Sequence, residues 1–414
     1  MNAYQADAGW GQFANFGLMS YDLERDNIFY EITGDNEVMV TRKDEYSYND
    51  QYFIDIPATI TLGYTTYDVT AINERAFYER SNLCTMTLPA SVKTIGDYAF
   101  YKCTNLESVT LDNVDNIGSY SFAYCSTLDN VKLKGDLQNV EGNSFIYCSS
   151  LKKFDHFAVA DNPSLKYSFV NGVIFTHNAA DKTLVAYPCG SNAISYTVPS
   201  GTVNIGSHAF RGNTTIKTVN MPTTLREIQS FAFNGCTRIE SIEVPKGVTN
   251  IGIYAFSECT ALTNVLLPST LTYLGGAAFH NDAALTIIMT KATTPPTCGT
   301  TGINPNTYPP FDQSHFTSAM LRVPTGYKTA YKAATIWKLF STIREDDSLI
   351  EPDFILGDVN SDGAVNVTDV TLLITAIINE NYSTINIDAA DMNSDGSINV
   401  SDVTMLINAA MAAN

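Results

Sequence analysis

A phenylalanine preceded by a small residue returns at a fixed interval through most of the chain. Phe77, Phe100, Phe122, Phe145, Phe210, Phe233, Phe256 and Phe279 each follow Ala or Ser, at successive spacings of 23, 22, 23, 65, 23, 23 and 23. Five residues before each stands Ile, Val or Leu. Six after comes Leu or Ile, and nine after another apolar side chain, from Met86 to Ile288. Gly or Asn lies four before the Phe in six of the eight copies, which suits a tight turn there. One such unit cannot bury its apolar stripe alone, so stacked units must share one continuous core.

Within the unit, stretches such as LESVTL and IESIEV alternate, sending Val109 and Leu111 inward and Ser108 and Thr110 outward. Stacked in parallel, these strands sit about 4.8 Å apart. The AFxxC segment is too short for a full helix and reads as a helical or 3₁₀ turn on the opposite side. The expected fold is mostly β. It is a leucine-rich-repeat-like solenoid, a parallel strand ladder with short helical turns, followed by a small α-helical C-terminal domain. The unit IGDYAFYKCTNLESVTL, repeated as IGIYAFSECTALTNVLLP, resembles the BspA-like leucine-rich repeats of secreted and surface bacterial proteins, over residues 17–345. The resemblance implies a cell-surface role in adhesion or ligand binding, with a host protein or glycan as the ligand of the repeats.

Residues 71–290 carry the repeats, interrupted over 157–200 by a hairpin-like insert whose Asn171-Gly172 suits a tight turn. Residues 17–70 read as an N-terminal β cap and 346–356 as a linker. Residues 291–345 read as a C-terminal cap covering the apolar end of the outward column, Leu266, Ile287 and Met289. Within that cap, a short amphipathic helix carries Tyr331, Ala334, Trp337 and Leu339-Phe340 on or near one face. In the resembled family such a helix closes a repeat array. AYQADAGWGQFANF from Ala3 matches AYKAATIWKLFSTI from Ala330 in its Ala, Tyr, Ala, Trp and Phe positions. Residues 1–16 therefore read as the closing helix of an upstream module, to which the export signal would also belong.

Composition excludes several functions. A net charge of −19 repels phosphate backbones and anionic lipid. No run of 18 apolar residues is present, so no spanning helix is expected. Cys103, Cys125, Cys148, Cys236 and Cys259 fall three after the repeat Phe, with Asn213 and Asp282 in the same column. A ladder of small side chains satisfying backbone groups accounts for that column. Metal binding would want paired Cys at short spacing, and no CxxC occurs; disulfides between neighbouring rungs stay open, although three successive rungs cannot all pair. The Tyr residues of the turns could stack on sugars or pack between rungs. Five His stand in unrelated contexts, HExxH and GxSxG are absent, and the outward column offers no pair of neighbouring carboxylates. No catalytic residue is expected, and the chain reads as not an enzyme.

The strongest chemical signal is DVNSDGAVNVTD at 358–369, echoed by DMNSDGSINVSD at 391–402. A calcium-sized cation needs oxygen ligands at loop positions 1, 3, 5, 7 (by backbone) and 12, with Gly at 6. Those positions are Asp358, Asn360, Asp362, Ala364 and Asp369 in the first loop, and Asp391, Asn393, Asp395, Ser397 and Asp402 in the second. Residues 357–414 hold eight carboxylates and no Lys or Arg, a charge that two bound Ca²⁺ would offset. An EF-hand regulator would carry Glu at position 12 and a helix before each loop. Loop-then-helix, duplicated, with Asp at 12, resembles a type I dockerin over 357–414. The resemblance implies calcium-dependent folding and docking on a cohesin of a scaffold or surface protein, with Val367, Thr368, Val400 and Ser401 at the recognition positions. Members of that family more often carry Ser-Thr there, which leaves the type of partner open.

The expected function is thus a non-catalytic, secreted or cell-surface binding and adhesion protein that docks through its C-terminal domain. The alternative is a component of a cellulosome-like polysaccharide-degrading complex whose enzymatic activity lies upstream. Millimolar extracellular calcium suits loops of ordinary affinity.

Overall fold

The computed structural model describes residues 23–44, 47–48, 50–156, 165–300, 308–350, 355–393 and 395–412. Residues 1–16, expected as a closing helix, lie outside them, as do 157–164 of the insert and 351–354 of the expected linker. The chain forms two compact units that part between Leu349 and Ile350.

The first unit is the solenoid. Each repeat supplies one strand of three to five residues, and these pair in parallel: Val109 sits beside Val131, and Val131 beside Phe154. A second ladder, of two-residue strands, runs alongside: Thr94–Ile95, Asn116–Ile117 and Asn139–Val140, then Asn204–Ile205, Glu227–Ile228, Asn250–Ile251 and Tyr273–Leu274. The apolar residue five before the Phe is the inward half of each such strand; the residue before it is at least partly exposed, except Asn204, which is buried.

Between the ladders the repeat phenylalanines stack. Ring centroids lie 5.2 Å apart for Phe77–Phe100, 4.9 Å for Phe100–Phe122 and 5.2 Å for Phe122–Phe145. The second half repeats this from Phe210 to Phe279 and continues to Phe311, at 5.4 Å. Each stacked pair adds about 0.5–1.5 kcal/mol beyond the area it buries. Tyr187, 23 residues before Phe210, fills the same column at 4.7 Å, so the period resumes inside the insert. The insert's hairpin, Tyr167–Val170 with Val173–Thr176, turns at Asn171 (φ 52°) and Gly172 (φ 77°).

The AFxxC segments close with i→i+3 hydrogen bonds, Tyr101 N to Tyr98 O and Cys103 N to Phe100 O. They do not grow into helix, because the residues two before and two after the Phe take positive φ, as Tyr98 (56°) and Lys102 (57°) do. Alternate N–H groups instead reach the next rung: Tyr98, Phe100 and Lys102 donate to the carbonyls of Ser119, Ser121 and Ala123. The turn expected at the Gly four before Phe begins there: Ala99 N donates to Gly96 O and Ala255 N to Gly252 O, each at 3.3 Å. That Gly serves close backbone approach: a Cβ at Gly252 would lie 2.4 Å from Ser230 N, and one at Gly96 2.6 Å from Glu74 N.

The cysteine column is a ladder of donors. Cys103, Cys125, Cys148, Cys236 and Cys259 point Sγ at the carbonyls of Phe77, Phe100, Phe122, Phe210 and Phe233, at 3.1–3.3 Å. Asn213 continues it, donating to Cys189 O at 3.1 Å. Burial raises these thiols; Cys103 is pushed up to about 12, so they are protonated and unreactive. Asp282 breaks the pattern. It is fully buried, its Oδ1 accepts from Cys259 N at 2.7 Å, and its Oδ2 has no hydrogen-bond partner.

An antiparallel meander, Leu23–Arg25, Ile28–Gly34 and Glu37–Thr41, leads into the array through parallel pairing of Glu37–Thr41 with Thr65–Ile72. At the other end the chain extends the sheet instead of covering it. Met320–Pro324 pairs with Ile287–Thr290, and Thr342–Asp346 pairs with Met320–Pro324. Leu266, Ile287 and Met289 consequently remain half-buried. The expected closing helix is shorter than the sequence suggests. It spans Lys328–Ala333, and a 3₁₀ turn, Trp337–Leu339, follows. Tyr331, Trp337 and Phe340 seal the end of the aromatic stack, whereas Leu339 faces out. Tyr331 Oη and Trp337 Nε1 donate to Ala292 O and Pro296 O, each at 2.8 Å. The strand at 342–346 and a 3₁₀ turn at Asp347–Leu349, with Leu349 buried, occupy the beginning of the stretch read as linker.

The second unit has helices Val367–Ile378, Ile387–Ala390 and Val400–Ala412. Its core is thin: Val359, Val370, Leu373, Ala390, Met392, Leu406 and Ala410.

Candidate functional site

The two acidic loops of the second unit are shaped by their own side chains. Asp358 Oδ1 and Oδ2 accept from the N–H groups of Asp362 and Gly363, at 3.0 and 2.9 Å. Asn360 Oδ1 accepts from Asp362 N and Asp362 Oδ1 from Ala364 N, both at 2.9 Å. Gly363 has φ 90°, a left-handed value that a side chain would strain. Asp369 closes the loop from the first turn of its helix, accepting from Asn360 N at 3.1 Å and Asn366 N at 2.9 Å. Asn366 caps that helix by accepting from Thr368 N at 2.8 Å.

The second loop repeats this pattern except at its closing carboxylate, where Asp402 accepts from Met392 at loop position 2 and Asp369 from Asn360 at position 3. Asp391 accepts from Asp395 N and Gly396 N at 3.1 and 2.8 Å, Asn393 from Asp395 N at 3.0 Å, and Asp395 from Ser397 N at 2.8 Å. Asp402 accepts from Met392 N and Asn399 N, both at 2.9 Å. Gly396 has φ 81°.

The donor set fits a hard divalent ion. Every side-chain candidate is a carboxylate or amide oxygen, and Asp369 and Asp402 are fully buried carboxylates. No Lys or Arg occurs after Arg344 to balance them, and a buried charge without a counter-charge is costly. Among the described residues, no three His, Cys, Asp or Glu side chains are gathered closely enough to share an ion. The carboxylates are held instead by loop N–H groups, which leave further lone pairs on each oxygen.

Val367 and Val400 begin the two long helices with 70% and 71% of their surface exposed. Thr368 and Ser401 are also exposed, but their hydroxyls bond to Asn366 Oδ1 and Asn399 Oδ1, at 2.7 and 2.8 Å. From the two valines onward each helix carries an exposed apolar stripe that the sequence pattern alone did not single out. Val367, Thr371, Ile374 and Ile378 fall at i, i+4, i+7 and i+11, all exposed, and Val400, Thr404, Ile407 and Met411 fall likewise. Met405, beside the second stripe, is exposed as well. The 33-residue offset between the loops was the signal that could have revealed these matching stripes.

On the solenoid, the turn aromatics stack on each other, Tyr98–Tyr120 at 5.0 Å and Tyr124–Tyr147 at 4.6 Å. Their faces are thus occupied by neighbouring rungs, as the packing alternative required. His208 stacks on Phe231 at 4.9 Å, and burial lowers its pKa to about 4.

Comparison with known proteins accords with both units. The BspA type leucine rich repeat region matches in six copies over residues 54–162 and 186–295, more than half of the chain. The chain therefore belongs to the BspA-type leucine-rich repeat family, and it carries a dockerin type I domain over residues 356–409. Both are non-catalytic modules, usually of extracellular or surface-associated proteins; a type I dockerin binds calcium and implies docking on a cohesin. No curated protein matches. Among solved structures, a leucine-rich repeat protein from Eubacterium ventriosum aligns with a TM-score of 0.51 at 18% identity, covering 65% of this chain and 77% of that one. A leucine rich cell surface protein from Faecalibacterium prausnitzii aligns with a TM-score of 0.36 at 20% identity, covering 65% and 94%. Pneumococcal vaccine antigen PcpA gives 0.43 at 17%, covering 78% and 98%. The first of these supports the fold. No helix of the described residues is long and apolar enough to cross a membrane.

Proposed function

We propose that this chain is a non-catalytic, extracellular binding protein, attached through its C-terminal unit to a cohesin-bearing scaffold or surface protein. Two calcium ions staple that unit. One is held by Asp358, Asn360, Asp362, the Ala364 carbonyl and Asp369; the other by Asp391, Asn393, Asp395, the Ser397 carbonyl and Asp402. Calcium supplies the positive charge that the buried Asp369 and Asp402 lack, and its binding free energy becomes folding free energy of a unit with a thin core. Val367, Thr368, Val400 and Ser401 open the docking faces, and the solenoid displays the surface that binds or adheres to a ligand.

The observation that carries this reading is the duplication of the second unit. Two loops of closely similar hydrogen bonding each lead into a helix with a matching exposed apolar stripe, the kind of surface that marks an interaction site. The test is calorimetric titration of the chelator-treated full chain with calcium. Two ions per chain, falling to one in Asp369→Ala or Asp402→Ala, support the reading; wild-type stoichiometry in either variant contradicts it.

A further inference from the structure

The ladder of two-residue strands carries a groove on its solvent side, with a volume of about 380 Å³, lined by Glu227, Gln229, Asn250, Tyr273, Ser207 and Ser230 among others. We propose that this groove binds an uncharged saccharide; the proposal rests on the reading of the solenoid as a binding module and names the class of its ligand.

The first support is register. Glu227, Asn250 and Tyr273 are partners on three successive strands, so their side chains form one row spaced by about 4.8 Å. Gly252 contributes no side chain, because the previous rung leaves no room for one, and this keeps the row open beside Gln229.

The second support is hydrogen-bonding capacity left unspent. Asn250 Nδ2 donates to Glu227 Oε1 at 2.5 Å, but Asn250 Oδ1 is buried and has no partner. Gln229 Oε1 accepts from Ser207 N at 3.0 Å, which turns the Gln229 amide NH₂ toward other acceptors. The groove thus offers the second Glu227 oxygen as acceptor and the Gln229 NH₂ as donor, with the Tyr273 ring beside them; Asn250 Oδ1, being buried, serves to fix the row and not to meet a ligand.

The third support is what this lining rejects. It contains no Lys, Arg or His, so phosphate or carboxylate would face Glu227 without a counter-charge. A metal ion would find one carboxylate. An apolar ligand would strand the amides. Sugar hydroxyls donate and accept together, and the C–H face of a pyranose lies on an aromatic ring. The volume stands at the small end of ligand sites, roughly 300–1,000 Å³, which suits a mono- or disaccharide unit of a longer chain.

The experiment titrates the calcium-loaded full chain with cellohexaose, xylohexaose, mannohexaose and, as the charged counterpart, hexagalacturonate. Gln229→Leu and Tyr273→Ala are compared with Asn139→Ala, which changes an equivalent position on the ladder outside the groove. One uncharged hexasaccharide should bind and weaken by about tenfold in each groove variant, the loss of one good hydrogen bond or stacking contact, but not in Asn139→Ala. Binding that all three variants retain would overturn the groove while leaving the solenoid a binding module. Binding of hexagalacturonate alone, or of none of the four, would overturn the saccharide assignment; the module reading would then stand or fall on adhesion of the full chain to whole cells.

Discussion

At the scale of single residues, the solenoid depends on atoms that reach from one rung to the next. The cysteine column shows what it requires: a small side chain that can donate to a buried carbonyl. Cys236→Ser keeps a donor and should change stability by no more than about 1 kcal/mol, whereas Cys236→Val leaves the Phe210 carbonyl unpaired and should cost roughly 1–3 kcal/mol; urea denaturation of the two variants separates these outcomes. Asp282 meets the same requirement only as a neutral acid. Burial, with Asp312 and Glu258 nearby, pushes it up to about 9, while Cys259 N–H works against this. His315, also buried, donates from Nε2 to Asp282 O, at 3.0 Å, and so does not supply the carboxyl with a counter-charge. A folded value above the ordinary 3.8 means that the stabilisation is complete below that pH and is lost as pH rises toward 9, because the unfolded chain ionises first. Asp282→Asn, which resembles Asn213 in the same column, should match wild type near pH 4 and exceed it by roughly 1–3 kcal/mol at pH 8. A melting-temperature difference that stays flat between pH 4 and 8 would show that Asp282 is ionised in the fold.

At the scale of elements, the 23-residue period made the strands, the stacking and the inward columns readable, since each is a matter of which residue recurs where. What the period could not convey is how the backbone closes each turn. The Gly four before Phe reads equally well as a residue of permissive φ and as one without a Cβ, and only the distance from Gly252 to Ser230 decides between them. Gly252→Ala should therefore cost about 2 kcal/mol, the penalty of an overpacked contact. Phe233→Ala, which opens the middle of the aromatic stack, should cost about 3–5 kcal/mol; thermal denaturation checks both. The second ladder and Tyr187 were hidden in the sequence for a similar reason. Two-residue strands are too short to show alternation, and a Tyr in a Phe column falls outside a search for Phe. In the C-terminal unit, loop ligand positions were legible because each follows from a fixed count along the chain. The exposed stripes were not, because an isolated apolar residue on a helix looks the same whether it serves a core or a partner.

At the scale of the whole chain, the proposed function assigns display to the repeat array and attachment to the loop-stabilised helical unit. The two units are built by different means: the array by stacked rings and shared sheets, the C-terminal unit by carboxylates that close its loops on their own N–H groups. Chelation should accordingly unfold the C-terminal unit while leaving the β signal of the array in place, and far-ultraviolet circular dichroism with and without calcium reads both. In the proposed function the matching helix stripes dock the chain on a cohesin. The most direct measurement is calorimetric binding of the full chain to a panel of cohesin modules, with calcium and with chelator, using wild type, Val367→Asp, Val400→Asp and the double variant. One cohesin per chain should bind, only with calcium; binding should be retained in each single variant, because the other stripe serves, and lost in the double variant. Calcium-loaded chain that binds no cohesin, or a double variant that binds as wild type does, would contradict this reading.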